Sequence, residues 1–299
     1  MTQALRDFLK RLDVEYKEQF DISRISYIGI GGNAAVMAMP DSSVKLIRLI
    51  DFLVEANIRY RVVGAMTNLL PSDSDFIGVL IVTDKINRYS VAESLLTIEC
   101  GARLSKVINK LSDSGLGGME ELFGIPGTVG GMIYGNAGAY LKAVSDFLID
   151  ADIYNPESRR IITLSAEDMN FSYRSSSIKD TDLILLSARF GIRFIPSREV
   201  RARLSEISEK RRSAQPYGER SLGSTFKRYG DIPISRLIDE LGFKGFRVGG
   251  AEVSKKHAGF IVNCGGATAK DVRALIAIIK EKLYSVYGIA AEEEIEYLE

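Results

Sequence analysis

Residues 123–140, FGIPGTVGGMIYGNAGAY, carry six of the chain's 27 glycines and constrain its fold more than any other stretch. Glycine takes positive φ freely and leaves room for a backbone or a ligand to approach closely. A tight crossover between strands accounts for two glycines. Six of them, interleaved with Pro126, Thr128 and Asn136, point to backbone N–H groups converging on a pyrophosphate or a flat ring. A second such loop, residues 64–68 (Gly-Ala-Met-Thr-Asn), follows a strand expected at 60–63. Two such loops on one framework suggest a dinucleotide.

The framework itself alternates between helical and strand periods. Ala4, Leu5, Phe8, Leu9 and Leu12 predict an amphipathic first helix. Asp41, Ser42 and Ser43 can start a second, with Val44, Ile47, Leu49, Ile50 and Leu53 as its apolar face. Leu104, Val107, Ile108 and Leu111 predict another. Val272, Leu275, Ile276, Ile279 and Leu283 predict a long one over Ala269–Tyr287. Strands are expected at 60–63, 78–83, 95–99, 148–154 and 183–190. Near Pro196 the texture changes to a charged helix, EVRARLSEISEKRR, which marks a domain boundary.

Composition narrows the chemistry. Thirty-nine basic and 39 acidic residues give zero formal charge, which argues against a nucleic-acid binder working by counterion release. With one histidine and two distant cysteines, Cys100 and Cys264, no zinc site or disulfide framework is expected. No apolar run approaches the roughly 20 residues that span a bilayer, and charges interrupt every possible signal-peptide core. The expectation is a neutral cytoplasmic protein whose hard chemistry is borrowed.

Two motifs fail their context. GIGGNAA at 29–35 fits GxGxxA, with Asp51 twenty residues past Gly31, but that fingerprint must open a helix, and Pro40 follows six residues after Ala34. A strand, tight turn and second strand fit better. Ser224 and Lys227 spell SxxK, the pair of serine acyl-transferases, yet its companion motifs are absent.

In order along the chain stand GIGGNA (29–34), the GxxTNLL loop (64–70), GIPGTVGGMIYGNAGAY (124–140), FSYRSS (171–176), RRSAQP (211–216), GSTFK (223–227) and GFRVGGAEVSKKHAGFIVN (245–263). This series resembles the UDP-N-acetylenolpyruvoylglucosamine reductase (MurB) family, in its shorter type without a tyrosine-bearing insertion. The resemblance implies an α+β fold: a two-lobed FAD-binding region of the vanillyl-alcohol-oxidase/PCMH type plus a C-terminal α+β substrate-binding domain. The expected divisions are 1–80 and 81–197 for the two lobes and 198–299 for the substrate domain.

The resemblance also implies the reaction. NADPH reduces tightly bound FAD, and hydride then passes to C3 of an enolpyruvyl group on UDP-N-acetylglucosamine, giving UDP-N-acetylmuramate for peptidoglycan synthesis. Negative charge left at C2 must be stabilised and protonated. Carried onto this chain, Ser224 is the proton donor, Arg174 faces the substrate carboxylate, and Glu294 assists at the reacting carbons. The FAD residues are Gly64, Ala65, Met66, Thr67, Asn68 and Leu69 at the pyrophosphate, with Ile125, Pro126, Gly127, Thr128, Gly130, Gly131, Asn136, Ala137 and Gly138 along the flavin and ribityl chain. Tyr173, Lys227, Arg228 and His257 are the expected substrate contacts. No metal, nucleic acid or membrane partner is expected, and the chain is expected to be a monomer.

The chain departs from the family at Met66, where the loop usually carries a second glycine. If that position needs positive φ, Met66 is strained and flavin binding weakened. Arg228-Tyr229 replace the usual Asn-Pro after GSTFK, and Glu293 replaces a proline before Glu294. The rival reading these changes motivate is a flavin-poor or non-catalytic UDP-sugar-binding homologue.

Overall fold

The computed structural model describes residues 2–299. They divide into two compact units: residues 2–19, 35–65 and 77–210 form one, and residues 20–34, 66–76 and 211–299 the other. Seven helices occur among the described residues: α1 (Gln3–Arg11), α2 (Ser43–Glu55), α3 (Leu104–Asp113), α4 (Val129–Tyr134), α5 (Ser197–Ala214), α6 (Ile234–Glu240) and α7 (Ala269–Tyr287).

The first unit is built on two sheets. One has the strand order Glu15–Asp21, Asn33–Met39, Phe76–Val82, Tyr60–Val63, and its last two strands run parallel. The other is antiparallel, in the order Arg160–Ser165, Leu148–Asn155, Ile184–Gly191, Leu95–Glu99, Tyr89–Ala92. Leu5 and Leu9 of α1, Leu46, Leu49, Ile50 and Leu53 of α2, and Val107 and Ile108 of α3 share its core. α2 starts where Ser42 accepts the N–H of Lys45, within the expected start signal Asp41, Ser42 and Ser43. Its buried stripe differs from the expected face: Val44 is 60% exposed, Ile47 only partly buried and Leu46 fully buried. Leu46, Leu49, Ile50 and Leu53 stand at i, i+3, i+4 and i+7, so they form the continuous stripe and Val44 falls outside it.

Residues 33–39 form a strand. This is the outcome expected from Pro40 and closes the dinucleotide-fingerprint reading of GIGGNAA.

The second unit packs α6 and α7 with an antiparallel sheet ordered Ser221–Ser224, Phe260–Asn263, Ala251–Val253, Arg247–Val248. Val272, Leu275, Ile276, Ile279 and Leu283 of α7 are all buried, as their spacing predicts. Thr268 caps α7 and Asp271 closes a capping box, while both carboxylate oxygens of Asp73 accept the next N–H groups, from Ala269 and Lys270. The last strand, Glu296–Leu298, runs parallel to Leu69–Pro71.

Candidate active site

In the first unit the glycine segment turns into the short helix α4, whose N-cap Thr128 accepts the N–H of Gly131. Before it, Gly127 sits at φ +132°, a backbone that side-chain-bearing residues rarely adopt. Close approach explains two other glycines. A Cβ on Gly64 would lie 2.1 Å from Thr128 Oγ1, and one on Gly130 would press on the Cys100 carbonyl, which accepts the Gly130 N–H at 2.8 Å. At Gly131 a Cβ would meet only Thr128 Oγ1, at 3.6 Å, so packing alone does not demand glycine there. That open face is where a flat ring or ribityl chain fits, and on this test the segment suits FAD. Ser105, which no sequence signal singled out, accepts the N–H of Gly124 at 3.0 Å and donates to the Ile125 carbonyl at 3.2 Å, fixing the entry to the loop. Cys100 is sealed beneath it, and burial pushes its thiol up to about 12, far from thiolate chemistry.

The tail of the glycine segment and the FSYRSS motif are tied together. Ser172 and Ser175 exchange both backbone hydrogen bonds, which leaves Tyr173 and Arg174 as a two-residue turn. Asn136 donates its amide to the Ser172 carbonyl at 2.9 Å and accepts the N–H of Ser145, while Ser176 donates to the Tyr134 carbonyl. Arg174 donates to the Gly138 carbonyl at 3.3 Å and lies 5.1 Å from the Tyr173 ring, which is half-exposed. Cation–π and backbone contacts of this kind fix a guanidinium's direction while keeping its charge.

Three expected site residues share an uncommon backbone. Met66 has φ +51°, Asn136 φ +41° and Arg174 φ +57°. Asparagine tolerates this region; methionine and arginine are held in it at a cost of about 1–2 kcal/mol each. Met66 therefore does occupy a position suited to the glycine it replaces, and its side chain is buried.

In the second unit Gly223, at φ +77° with open space around it, breaks the register between Ser221 and Ser224. The bulge re-aims Ser224, which pairs with Phe260 and donates its hydroxyl to the Phe226 carbonyl at 3.3 Å. Beyond it the segment pairs with the chain's end. The Thr225 carbonyl accepts the Glu294 N–H at 2.8 Å, Phe226 bridges Glu293, and the Lys227 N–H reaches the Glu292 carbonyl at 2.9 Å. Ser224 and Glu294 thus come together on one antiparallel pair.

The three neighbouring glutamates separate by their partners. Glu292 is exposed and pairs with Lys227 Nζ at 3.2 Å. Glu293 accepts from Lys280 at 2.8 Å and from the Tyr297 hydroxyl. Burial would raise its carboxyl, but Lys280 and Tyr297 outweigh that and hold it below the usual glutamate range. Glu294 is half-buried. Lys227 being paired with Glu292, and Ser224 with Phe226, the SxxK reading finds no serine–lysine hydrogen bond to support it. Arg228 donates to the Asp231 carbonyl across a turn closed by Tyr229 and Ile232.

Asn68 is bound into this unit: its amide donates to the Glu294 carbonyl and its own carbonyl accepts the Glu296 N–H, both at 2.8 Å. His257 lies in the turn between two sheet strands, its ring edge-on to Phe260 at 5.0 Å. Among the described residues no cluster of three His, Cys, Asp or Glu side chains could hold a metal ion.

Comparison with known proteins bears on both units. Residues 34–164 match the model of an FAD binding domain, and residues 215–298 match the UDP-N-acetylenolpyruvoylglucosamine reductase C-terminal domain. The UDP-N-acetylenolpyruvoylglucosamine reductase of Caldicellulosiruptor bescii is 38% identical over 97% of this chain and 93% of its own length. That of a Streptococcus pneumoniae strain is 34% identical over 99% and 97%. The crystal structure of MurB from Thermus caldophilus superposes with a TM-score of 0.82 at 29% identity, covering 96% of this chain and 99% of that one. Berberine bridge enzyme from Eschscholzia californica shares the fold over 64% of this chain, with a TM-score of 0.50 at 16% identity.

Proposed function

The chain belongs to the UDP-N-acetylenolpyruvoylglucosamine reductase family, and from that premise we propose how its own residues carry the reaction. It is an NADPH-dependent flavoprotein that reduces the enolpyruvyl group of UDP-N-acetylglucosamine enolpyruvate to UDP-N-acetylmuramate, a peptidoglycan precursor. FAD, reduced by NADPH, supplies the hydride that this side-chain inventory cannot.

Residues 64–69, 125–131 and 136–138 are the proposed FAD contacts, supported by the positive-φ and open-faced glycines described above. Once hydride is added at C3, the negative charge at C2 calls for a nearby proton and a fixed cation. Ser224 gives the proton. A serine hydroxyl is a weak acid, so orientation by the bulge at Gly223 and proximity to a strongly basic carbon must do the work. Arg174, aimed by its turn, pairs with the substrate carboxylate and the charge developing beside it. Glu294, hydrogen-bonded through its backbone to Thr225, helps stabilise the enolate or return the proton. Tyr173, Lys227, Arg228 and His257 are proposed substrate contacts, the two cations suiting a diphosphate. Residues 198–299 are proposed as the substrate domain, with 1–80 and 81–197 as two FAD lobes.

The backbone pairing of Ser224's segment with Glu294's is the observation that carries this reading, since it joins the segment of the proposed acid to that of the proposed carboxylate. A charged nucleotide-sugar substrate and zero net charge support a cytoplasmic enzyme that binds no nucleic acid; among the described residues no helix is long and apolar enough to cross a membrane. The test is direct: protein incubated with FAD, NADPH and the enolpyruvyl substrate should form UDP-N-acetylmuramate. A colourless protein that consumes no substrate would point to the non-catalytic rival.

A further inference from the structure

The chain's one histidine sits at the end of a run of hydrogen bonds that reaches the proposed proton donor. His257 Nδ1 accepts the N–H of Gly259 at 3.1 Å. The Gly259 carbonyl accepts the N–H of Thr225 at 2.8 Å, and the Thr225 carbonyl accepts the N–H of Glu294 at 2.8 Å. The turn and the ring are each held. Ser254, almost wholly buried, accepts the N–H groups of Lys256 and His257, and Phe260, which faces Ser224 across the ladder, meets the imidazole edge-on. A Cβ on Gly259 would lie 2.8 Å from Ser235 Cβ and 3.0 Å from His257 Cε1, so glycine permits this close approach to the imidazole.

We propose that His257 is a positioning residue that, as neutral imidazole, holds the Ser224 segment and the Glu294 strand in register through the Gly259 and Thr225 peptides. The inference rests on the reading of Ser224 as proton donor and goes beyond the substrate contact proposed for His257 above. Only an unprotonated Nδ1 can accept the Gly259 N–H. Protonation puts a second donor where the acceptor was, breaks that bond and frees the Gly259 peptide, on which Thr225 depends. The charged groups acting on the ring are Lys244 and Asp239, themselves paired at 2.6 Å, while Lys256 in the same turn donates to the Arg212 carbonyl. Burial is the largest influence on the imidazole and keeps it below its usual value, with Lys244 acting in the same direction. The neutral form therefore prevails at neutral pH and gives way to the cation only as pH falls below the ordinary imidazole value of 6.5.

Two half-reactions separate this role from others: flavin reduction by NADPH, followed by flavin absorbance, and substrate reduction by the pre-reduced enzyme. Both are measured from about pH 8 to about pH 5 for the wild type, His257→Ala, His257→Asn and Ser224→Ala. Asparagine can present a carbonyl oxygen near the Nδ1 position without titrating. The expected result is a substrate step that falls in acid for the wild type, is at least about tenfold slower in His257→Ala, and in His257→Asn is largely restored with the acid fall removed. Flavin reduction should be the same in all. A His257→Ala variant with raised KM and unchanged kcat overturns the inference in favour of plain substrate contact, as does an acid fall that persists in His257→Asn. If His257→Ala does not fold, the His257→Asn profile decides alone. An unimpaired Ser224→Ala defeats the underlying proton-donor reading, whereas a slow Ser224→Ala beside a fast His257→Ala defeats only the positioning role.

Discussion

The side-chain amide of Asn68 donates to the backbone carbonyl of Glu294 at 2.8 Å, across 226 residues of sequence. With the bond from the Glu296 N–H to the Asn68 carbonyl, it starts the parallel pairing of Leu69–Pro71 with Glu296–Leu298. A residue expected at a pyrophosphate thus also sets the position of the proposed carboxylate. Asn68→Ala removes one partly buried hydrogen bond and should lower stability by about 1 kcal/mol. Asn68→Asp should be worse, because it turns an acceptor toward the Glu294 carbonyl. Chemical denaturation of both variants checks the order, and equal stability of the two would contradict it.

Ser224→Ala should leave flavin reduction by NADPH at its wild-type rate and slow substrate reduction by roughly two to four orders of magnitude, the range for a lost general acid. The hydroxyl's hydrogen bond to the Phe226 carbonyl is part-buried and long at 3.3 Å, so folding stability should change little. Rapid-mixing absorbance of each half-reaction reads both rates. Equal loss in the two would remove Ser224 from proton delivery.

How far the sequence revealed this arrangement depends on the range of the interaction. Long periodic elements were legible: the five apolar positions of α7, Val272 to Leu283, repeat through about three turns and all are buried. In α2 the same rule misplaced Val44, which in the first turn looks like part of the stripe that Leu46 actually fills. Backbone conformation was legible where a glycine rule applies, as at Met66, whose positive φ follows from what usually stands there. Contacts between distant segments were not. Nothing in the local pattern shows that Asn136 holds the Ser172 carbonyl, or that His257 turns Nδ1 to Gly259. The separate fates of Glu292, Glu293 and Glu294 likewise depend on Lys227, Lys280 and Tyr297, which lie on other elements or further along the chain.

Met66 offers a reversal of the ordinary rule for helices and strands, where alanine is more stabilising than glycine. At φ +51° alanine retains the left-handed cost and glycine does not. Both Met66→Ala and Met66→Gly lose the buried methionine side chain, so comparing them isolates the backbone. Met66→Gly should be the more stable by about 1 kcal/mol, and it should bind FAD more tightly than Met66→Ala because the loop rests in its bound-like conformation without strain. Urea midpoints and FAD titration test the two halves separately. A more stable alanine variant would mean that the position is not strained.

Glu293 supplies a pH test that does not involve catalysis. Its carboxyl is held below the ordinary glutamate value of 4.5 when folded, because Lys280 and Tyr297 outweigh the opposing effect of burial. A group whose folded pKa is depressed binds its proton more readily when unfolded. It therefore contributes stability that is complete well above 4.5 and is lost as pH falls through the lower, folded value. Glu293→Gln keeps the size and removes the charge. It should destabilise the protein near neutral pH by on the order of 1 kcal/mol, a figure kept small because Lys280 is 42% exposed and solvent screens the pair. The gap between the variant and the wild type, read from urea unfolding at a series of pH values, should narrow as the solution is acidified below 4.5. A gap of constant size would show that the lost stability came from packing or from hydrogen bonds that glutamine also fails to make, and that the Glu293 charge contributes nothing.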